Sequence, residues 1–147
     1  MIVVSLGVGF GFSWYALSDG RPFGAIEVGP WSTWQAAGSP APDPYTRAHV
    51  ARNGALQLGT SEGLQFLAET DSDGLRLDRD CRYRIAGTTP VATFWTLTPV
   101  ARDGTLITVP GTPPAFHSRR LARTNNGSVT LYVSKSLSPR NWLEIDG

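Results

Sequence analysis

Cysteine, methionine, lysine and histidine are nearly missing from this sequence. Cys81 is the only cysteine, so no disulfide can close within the chain and thiol arithmetic leaves the compartment open. The two histidines, His49 and His117, are far apart in sequence and have no nearby thiol, which excludes the usual zinc-ligand spacings. Charge is sparse as well. Asp, Glu, Lys and Arg make up 17% of the residues, and 13 basic against 12 acidic side chains leave a net charge of +1. A near-neutral chain lacks the basic excess that neutralising a phosphate backbone requires, so nucleic acid is excluded as the main partner. Lys135 is the single lysine and every other basic residue is arginine. Codon bias accounts for that imbalance; the alternative is that some guanidinium forks bind anions.

What the chain does have is apolar side chains and turn formers. Hydrophobic residues reach 41%, enough for a core without metal or disulfide support. With 16 glycines and 11 prolines, turns should be frequent and the elements short, which favours strands over long helices. A length of 147 residues fits one domain.

The first 17 residues, MIVVSLGVGFGFSWYAL, carry no charge. As a helix they reach roughly 25 Å, slightly less than the ~30 Å hydrocarbon core of a bilayer. Trp14 and Tyr15 stand at the end of the run, where amphipathic rings favour a membrane interface. Three readings are open: an uncleaved anchor, a signal peptide with Ala16-Leu17-Ser18 as a poor cleavage site, or a buried element of the domain. Gly7 and Gly11 form a G-x-x-x-G pair, a spacing that lets helices approach closely but is common by chance. The Gly7-x-Gly9-x-Gly11 run is no dinucleotide fingerprint, because it lacks the preceding strand and the spacing.

Residues 19–42 read as a linker rich in Gly, Pro, Ser and Ala, with Trp31 and Trp34 packing part of it onto the domain. A domain follows over 43–147. Asp43-Pro44 opens a short helix near residues 44–53, because Asp caps the free amides and Pro suits the first helical position; Gly54 ends it. After Ser61 the period changes to two. Leu64, Phe66 and Ala68 alternate with Gln65, Leu67 and Glu69; Cys81, Tyr83 and Ile85 alternate with Arg82 and Arg84; Val129, Leu131 and Val133 alternate with Thr130 and Tyr132. Residues 93–98, apolar on both faces, read as a central strand. Asp71-Ser72-Asp73-Gly74, Asp103-Gly104 and Asn125-Asn126-Gly127 mark turns. Short strands with a turn about every ten residues give a mainly β fold, an antiparallel β-sandwich of jelly-roll-like type with one short helix.

The residues in their order resemble a bacterial family known as domain of unknown function 1214. The resemblance runs over about residues 29 to 143. It rests on Asp43-Pro44-Tyr45-Thr46-Arg47-Ala48, Asp71-Ser72-Asp73-Gly74 and Cys81-Arg82-Tyr83. It continues through Pro90 before Phe94-Trp95-Thr96-Leu97-Thr98, then Asn126-Gly127-Ser128 and Pro139-Arg140-Asn141-Trp142-Leu143. It implies a jelly-roll β-sandwich of the capsid-like and nucleoplasmin-like kind, often found beside a second uncharacterised domain. It also implies that short members with an apolar leader are membrane-associated and exported. The family has no settled activity, so no catalytic residue is carried over. The resemblance also implies a further apolar strand past the Asn-Trp-Leu motif; if the protein lacks it, a sheet edge or a core face is open for a partner chain to fill by strand addition, the alternative being that the sequence is truncated.

Several polar groups stand out. Asp43, Tyr45 and Arg47 either cap, pack and pair around the helix start or form an anion pocket with Arg47 as its clamp. Arg82 and Arg84 face the same way, as a solvated face or as a basic patch that His117 and its loop would join. Gly59-Thr60-Ser61-Glu62-Gly63 matches a nucleophile elbow with His117 downstream, but the pattern has force only between a strand and a helix. Asp71-x-Asp73-Gly74 lacks the other ligands of a calcium loop. Asn126-Gly127-Ser128 fits a glycosylation sequon and reads better as a turn. Cys81 is expected to be a buried, inert thiol, and Trp95 and Trp142 to be packing residues. No cofactor and no metal is expected. The whole reads as a membrane-anchored domain facing the periplasm or cell exterior, binding a protein partner or a second copy of itself through an open sheet edge. The alternative is a hydrolase-like enzyme whose site a partner domain completes.

Overall fold

The computed structural model describes residues 2–19, 24–54, 58–89, 92–125 and 127–146. Pro90 and Asn126, singled out above, lie outside the described residues. The backbone packs into two units, Met1–Arg76 and Leu77–Gly147. Among the described residues there are two α-helices and eight strands in three sheets, so the protein is β-rich with little helix.

The first unit opens with helix α1, Ile2–Asp19. Its apolar side chains are exposed on every side, Val3 at 82% and Phe10 at 74% among them. No helix among the described residues is long and apolar enough to cross a membrane. Part of the stretch expected to link folds instead as a hairpin: β1 (Ala25–Val28) pairs antiparallel with β2 (Trp31–Trp34), joining Val28 to Trp31. Gly29, at φ +59°, takes the first turn position, where a side chain would be strained, and the ring of Pro30 fixes a negative φ at the next. Ser32 and Thr33 of β2 are buried, and the Ser32 hydroxyl donates to the Leu67 carbonyl across to β3 (Leu67–Ala68), giving the order β1-β2-β3.

Helix α2, Pro44–Asn53, forms where the cap signals put it. One Asp43 carboxylate oxygen accepts the Tyr45 and Thr46 amides at 2.9 and 3.0 Å, satisfying two donors that the first turn leaves free. Gly54, at φ +60°, closes the other end by donating to the Val50 carbonyl. The Asp71–Gly74 turn also forms: Asp71 accepts the Asp73 and Leu75 amides, and a bridge joins Thr70 to Arg76. The alternation expected at Leu64, Phe66 and Ala68 does not bury its apolar face. Only Leu67 and Ala68 enter a ladder, and Leu64 and Phe66 stay exposed.

The second unit is built on a three-stranded sheet of order β4-β7-β8, with β4 at Tyr83–Gly87, β7 at Val129–Ser134 and β8 at Asn141–Glu144. Val129 and Leu131 are buried on the face that their alternation assigned. A two-stranded ribbon, β5 (Thr96–Leu97) and β6 (Phe116–His117), packs on that face. Phe116, Leu131 and Leu143 form the buried centre, with Ile85, Trp95, Leu97, Leu121 and Val133 around it. Each fully buried side chain of this kind stabilises by roughly 1.5–3 kcal/mol. The Asp103–Gly104 turn forms beneath a Val100–Leu106 bridge.

Three expectations are corrected here. First, β4 meets β7 antiparallel, but β8 meets β7 parallel, Leu131 lying opposite Asn141 and Ser134 opposite Glu144. Parallel neighbours usually need a crossover of a dozen residues or more. Here the chain returns over only three strand positions, about 10 Å, which the short segment 135–140 can span. Second, residues 93–98 do not form a central strand. Only Thr96–Leu97 pair, and Phe94 is exposed. Third, Cys81 is exposed, because β4 begins at Tyr83 and Cys81 still belongs to the preceding turn, its amide donating to the Asp78 carbonyl. Tyr83 and Ile85 are half-buried.

Candidate functional site

Asp43, Tyr45 and Arg47 lie together at the start of α2, and the structure uses Asp43 as a cap. Its second carboxylate oxygen accepts the hydroxyl of Thr46, a residue with 0% exposure. That hydroxyl bond first, then the Thr46 and Tyr45 amides, hold the Asp43 carboxyl below the usual carboxylate range. Gly24 is fitted against the same group: a Cβ there would lie 3.3 Å from the Thr46 hydroxyl, and its φ of +133° suits glycine. Tyr45 and Arg47 are exposed, and Arg47 has no charged partner among the described residues. The cluster is a helix start with a free guanidinium beside it, not an enclosed pocket.

Arg82, Arg84 and His117 belong to the second unit. Arg82 donates to the Ser136 hydroxyl at 2.6 Å. Next to it Lys135 pairs with Asp80, and this hydrogen bond and charge hold the Asp80 carboxyl below its usual range. Arg84 lies opposite Tyr132, which lies opposite Trp142, so one row across the sheet carries a guanidinium, a phenol and an indole. The Trp142 indole donates to the Ser134 carbonyl at 3.1 Å. His117 does not join this row. It is half-buried on β6, its ring 6.1 Å from that of Phe94, and the Arg119 guanidinium sits 5.8 Å from Phe94. Its Nδ1 is buried without a hydrogen-bond partner among the described residues.

The nucleophile-elbow pattern lacks its context. The Glu62 and Gly63 amides both bond the Gly59 carbonyl, making a turn around Ser61, and extended chain leading to β3 follows instead of a helix. No group of His, Cys, Asp or Glu among the described residues is arranged to hold a metal ion.

The concave feature of the first unit was not foreseen from the sequence. Trp34, at the end of β2, stacks on His49 of α2, their ring centres 3.6 Å apart and planes 14° from parallel. Burial holds the His49 imidazole below the usual histidine range. Beside this pair lies a cavity of about 140 Å³, lined also by Ser32, Gln35, Leu58, Thr60, Leu64 and Gln65. Gly38 lets the two loops that wall it touch: a Cβ there would stand 1.8 Å from the Leu58 carbonyl oxygen. The sequence signal was the Trp31-x-x-Trp34 pair inside an otherwise linker-like stretch, too much aromatic surface for a free tether.

Compared with known families, residues 62–147 match the model described as "Protein of unknown function (DUF1214)". The chain belongs to the DUF1214 family. The match covers the whole second unit together with the Asp71–Gly74 turn, and it contains the Cys81-Arg82-Tyr83 and Asn141-Trp142-Leu143 motifs. The DUF1214 match begins after Ser61, so the helix-start motif Asp43–Ala48 and the Trp34–His49 cavity wall lie upstream of it. No curated protein matches this DUF1214 chain.

Proposed function

We propose that this DUF1214 chain is a membrane-tethered binding or assembly module, working on the periplasmic or outer side of the cell, whose β-rich part is completed by a partner protein. The observation that carries the reading is α1. Ile2, Val3, Val4, Leu6, Val8, Phe10 and Phe12 are all exposed, and together they surround the helix. A helix that is apolar all round is stable in hydrocarbon or inside a protein core, not in water. Eighteen residues give about 27 Å, short of the ~30 Å hydrocarbon core, so in this reading α1 embeds as a tether without crossing the bilayer, with Trp14 and Tyr15 at headgroup level. In the same reading the strands belong to a jelly-roll-like sandwich, and an edge of the β4-β7-β8 sheet is offered to the partner chain by strand addition.

The test is partition. The full chain, expressed in a bacterium, is expected in the membrane fraction and resistant to alkaline carbonate, while the chain lacking residues 2–19 is expected in the soluble fraction. Recovery of the full chain as a lone soluble monomer overturns the proposal.

A further inference from the structure

The cavity beside Trp34 has properties that neither a tether nor a sheet edge explains. From its geometry we infer a binding site for a small neutral ring that carries an amide or similar hydrogen-bonding edge. Three observations support this. The space, about 140 Å³, is close to the roughly 150 Å³ known to accept a benzene-sized ring. Among the described residues its lining contains no Asp, Glu, Lys or Arg, so none of them compensates a charged ligand. The imidazole of His49, held below the usual histidine range by burial, adds no charge at neutral pH.

Besides Trp34 and His49, the polar side chains in the lining are the hydroxyls of Ser32 and Thr60 and the carboxamides of Gln35 and Gln65. Gln35 and Gln65 each present a carbonyl acceptor and an amide donor, the complement of an amide edge. The indole N–H of Trp34 is buried with no acceptor among the described residues. An orphaned buried donor is uncommon in a folded protein, and this one, enclosed in the cavity wall, reports on the packing around the ring rather than on a direct bond to a ligand. His49, stacked on the indole, fixes the plane that such a ring would meet. Ser32 in the lining is already committed, donating to the Leu67 carbonyl, which leaves its oxygen as an acceptor.

The experiment uses the full chain in detergent, labelled with 15N at tryptophan, and nicotinamide as the probe. The Trp34 indole signal is assigned by its loss in Trp34→Phe. Nicotinamide is expected to move that signal saturably, with a dissociation constant on the order of 1 mM, leaving the signals of Trp31, Trp95 and Trp142 in place. Gln65→Leu, which keeps the volume of the wall but removes an amide, is expected to weaken binding by about tenfold. Benzene and glucose serve as comparison ligands and are expected to leave the signal unmoved at the same concentrations. No saturable shift with nicotinamide overturns the inference. An equal response to benzene or glucose, or unchanged affinity in Gln65→Leu, overturns the assigned ligand class. Membrane partition of the chain is unaffected by any of these outcomes, so a failure here is distinct from a failure of the tether.

Discussion

Asn141→Ala is expected to destabilise the second unit more than any comparable surface change. Asn141 is 3% exposed on β8. Its side-chain oxygen accepts the Ala122 amide at 2.7 Å, and its nitrogen donates to the Ala122 carbonyl at 2.8 Å and to the Thr130 carbonyl at 2.9 Å. One carboxamide thus does for residue 122 what a neighbouring strand's backbone would do, and it also ties that segment to β7. At about 0.5–1.5 kcal/mol for each neutral bond, the three together contribute roughly 3 kcal/mol. For a unit of this size, with a urea dependence of about 1–2 kcal/mol per molar, the unfolding midpoint should fall by about 2 M. The assay is urea unfolding read by hydrogen exchange at the β7 and β8 amides, which isolates this unit from the rest of the chain. Asn141→Asp sharpens the test. Its carboxylate can still accept from Ala122 but faces two carbonyls where the amide used to donate. It should be the worse variant at neutral pH and should recover in acid, where a protonated carboxyl donates again. A loss below about 0.5 kcal/mol for Asn141→Ala, or no pH dependence for Asn141→Asp, would refute the reasoning.

Three further outcomes are expected. Leu131→Ala, at a site 2% exposed between Phe116 and Leu143, should lower stability by about 2–5 kcal/mol in the same exchange-detected unfolding. Asp43→Ala should raise the exchange rates of the Tyr45 and Thr46 amides, with Asp43→Asn keeping part of the protection; because the folded Asp43 pKa is depressed, its stabilisation is present above the ordinary carboxylate value and lost as pH falls through the folded one, read as helix loss by circular dichroism. His49, also depressed on folding, should cost stability as pH falls from the ordinary histidine value through the folded one, a dependence that His49→Phe should remove in a thermal melt taken at several pH values.

Local chemistry was the legible part of the fold. Helix α2 follows from an aspartate that accepts amides, a proline that needs no amide partner, and a glycine that tolerates positive φ, all within twelve positions. The Asp71 and Asp103 turns follow from carboxylates that bond their own backbone two residues on. Alternation identified the buried face of β7 correctly. It carries no information about strand direction, so the parallel partner β8 was not visible in it. Nor does it mark where a strand begins, which is why Cys81 was placed on an apolar face that starts at Tyr83. Among the polar residues, the cap role of Asp43 was open to view, while the Trp34–His49 stack joins a strand to a helix across fifteen residues that no local pattern connects.

The sheet of the second unit also sets a timetable for synthesis. Tyr83 has no ladder partner until Val133 has been made, 50 positions later. At a bacterial elongation rate of about 5–20 residues per second, β4 must wait for several seconds with both of its edges bare. β8, by contrast, finds β7 within a few residues of its own emergence. A nascent chain of this design therefore passes through an interval in which a chaperone, or any stray strand, can reach the sheet before its own partner does.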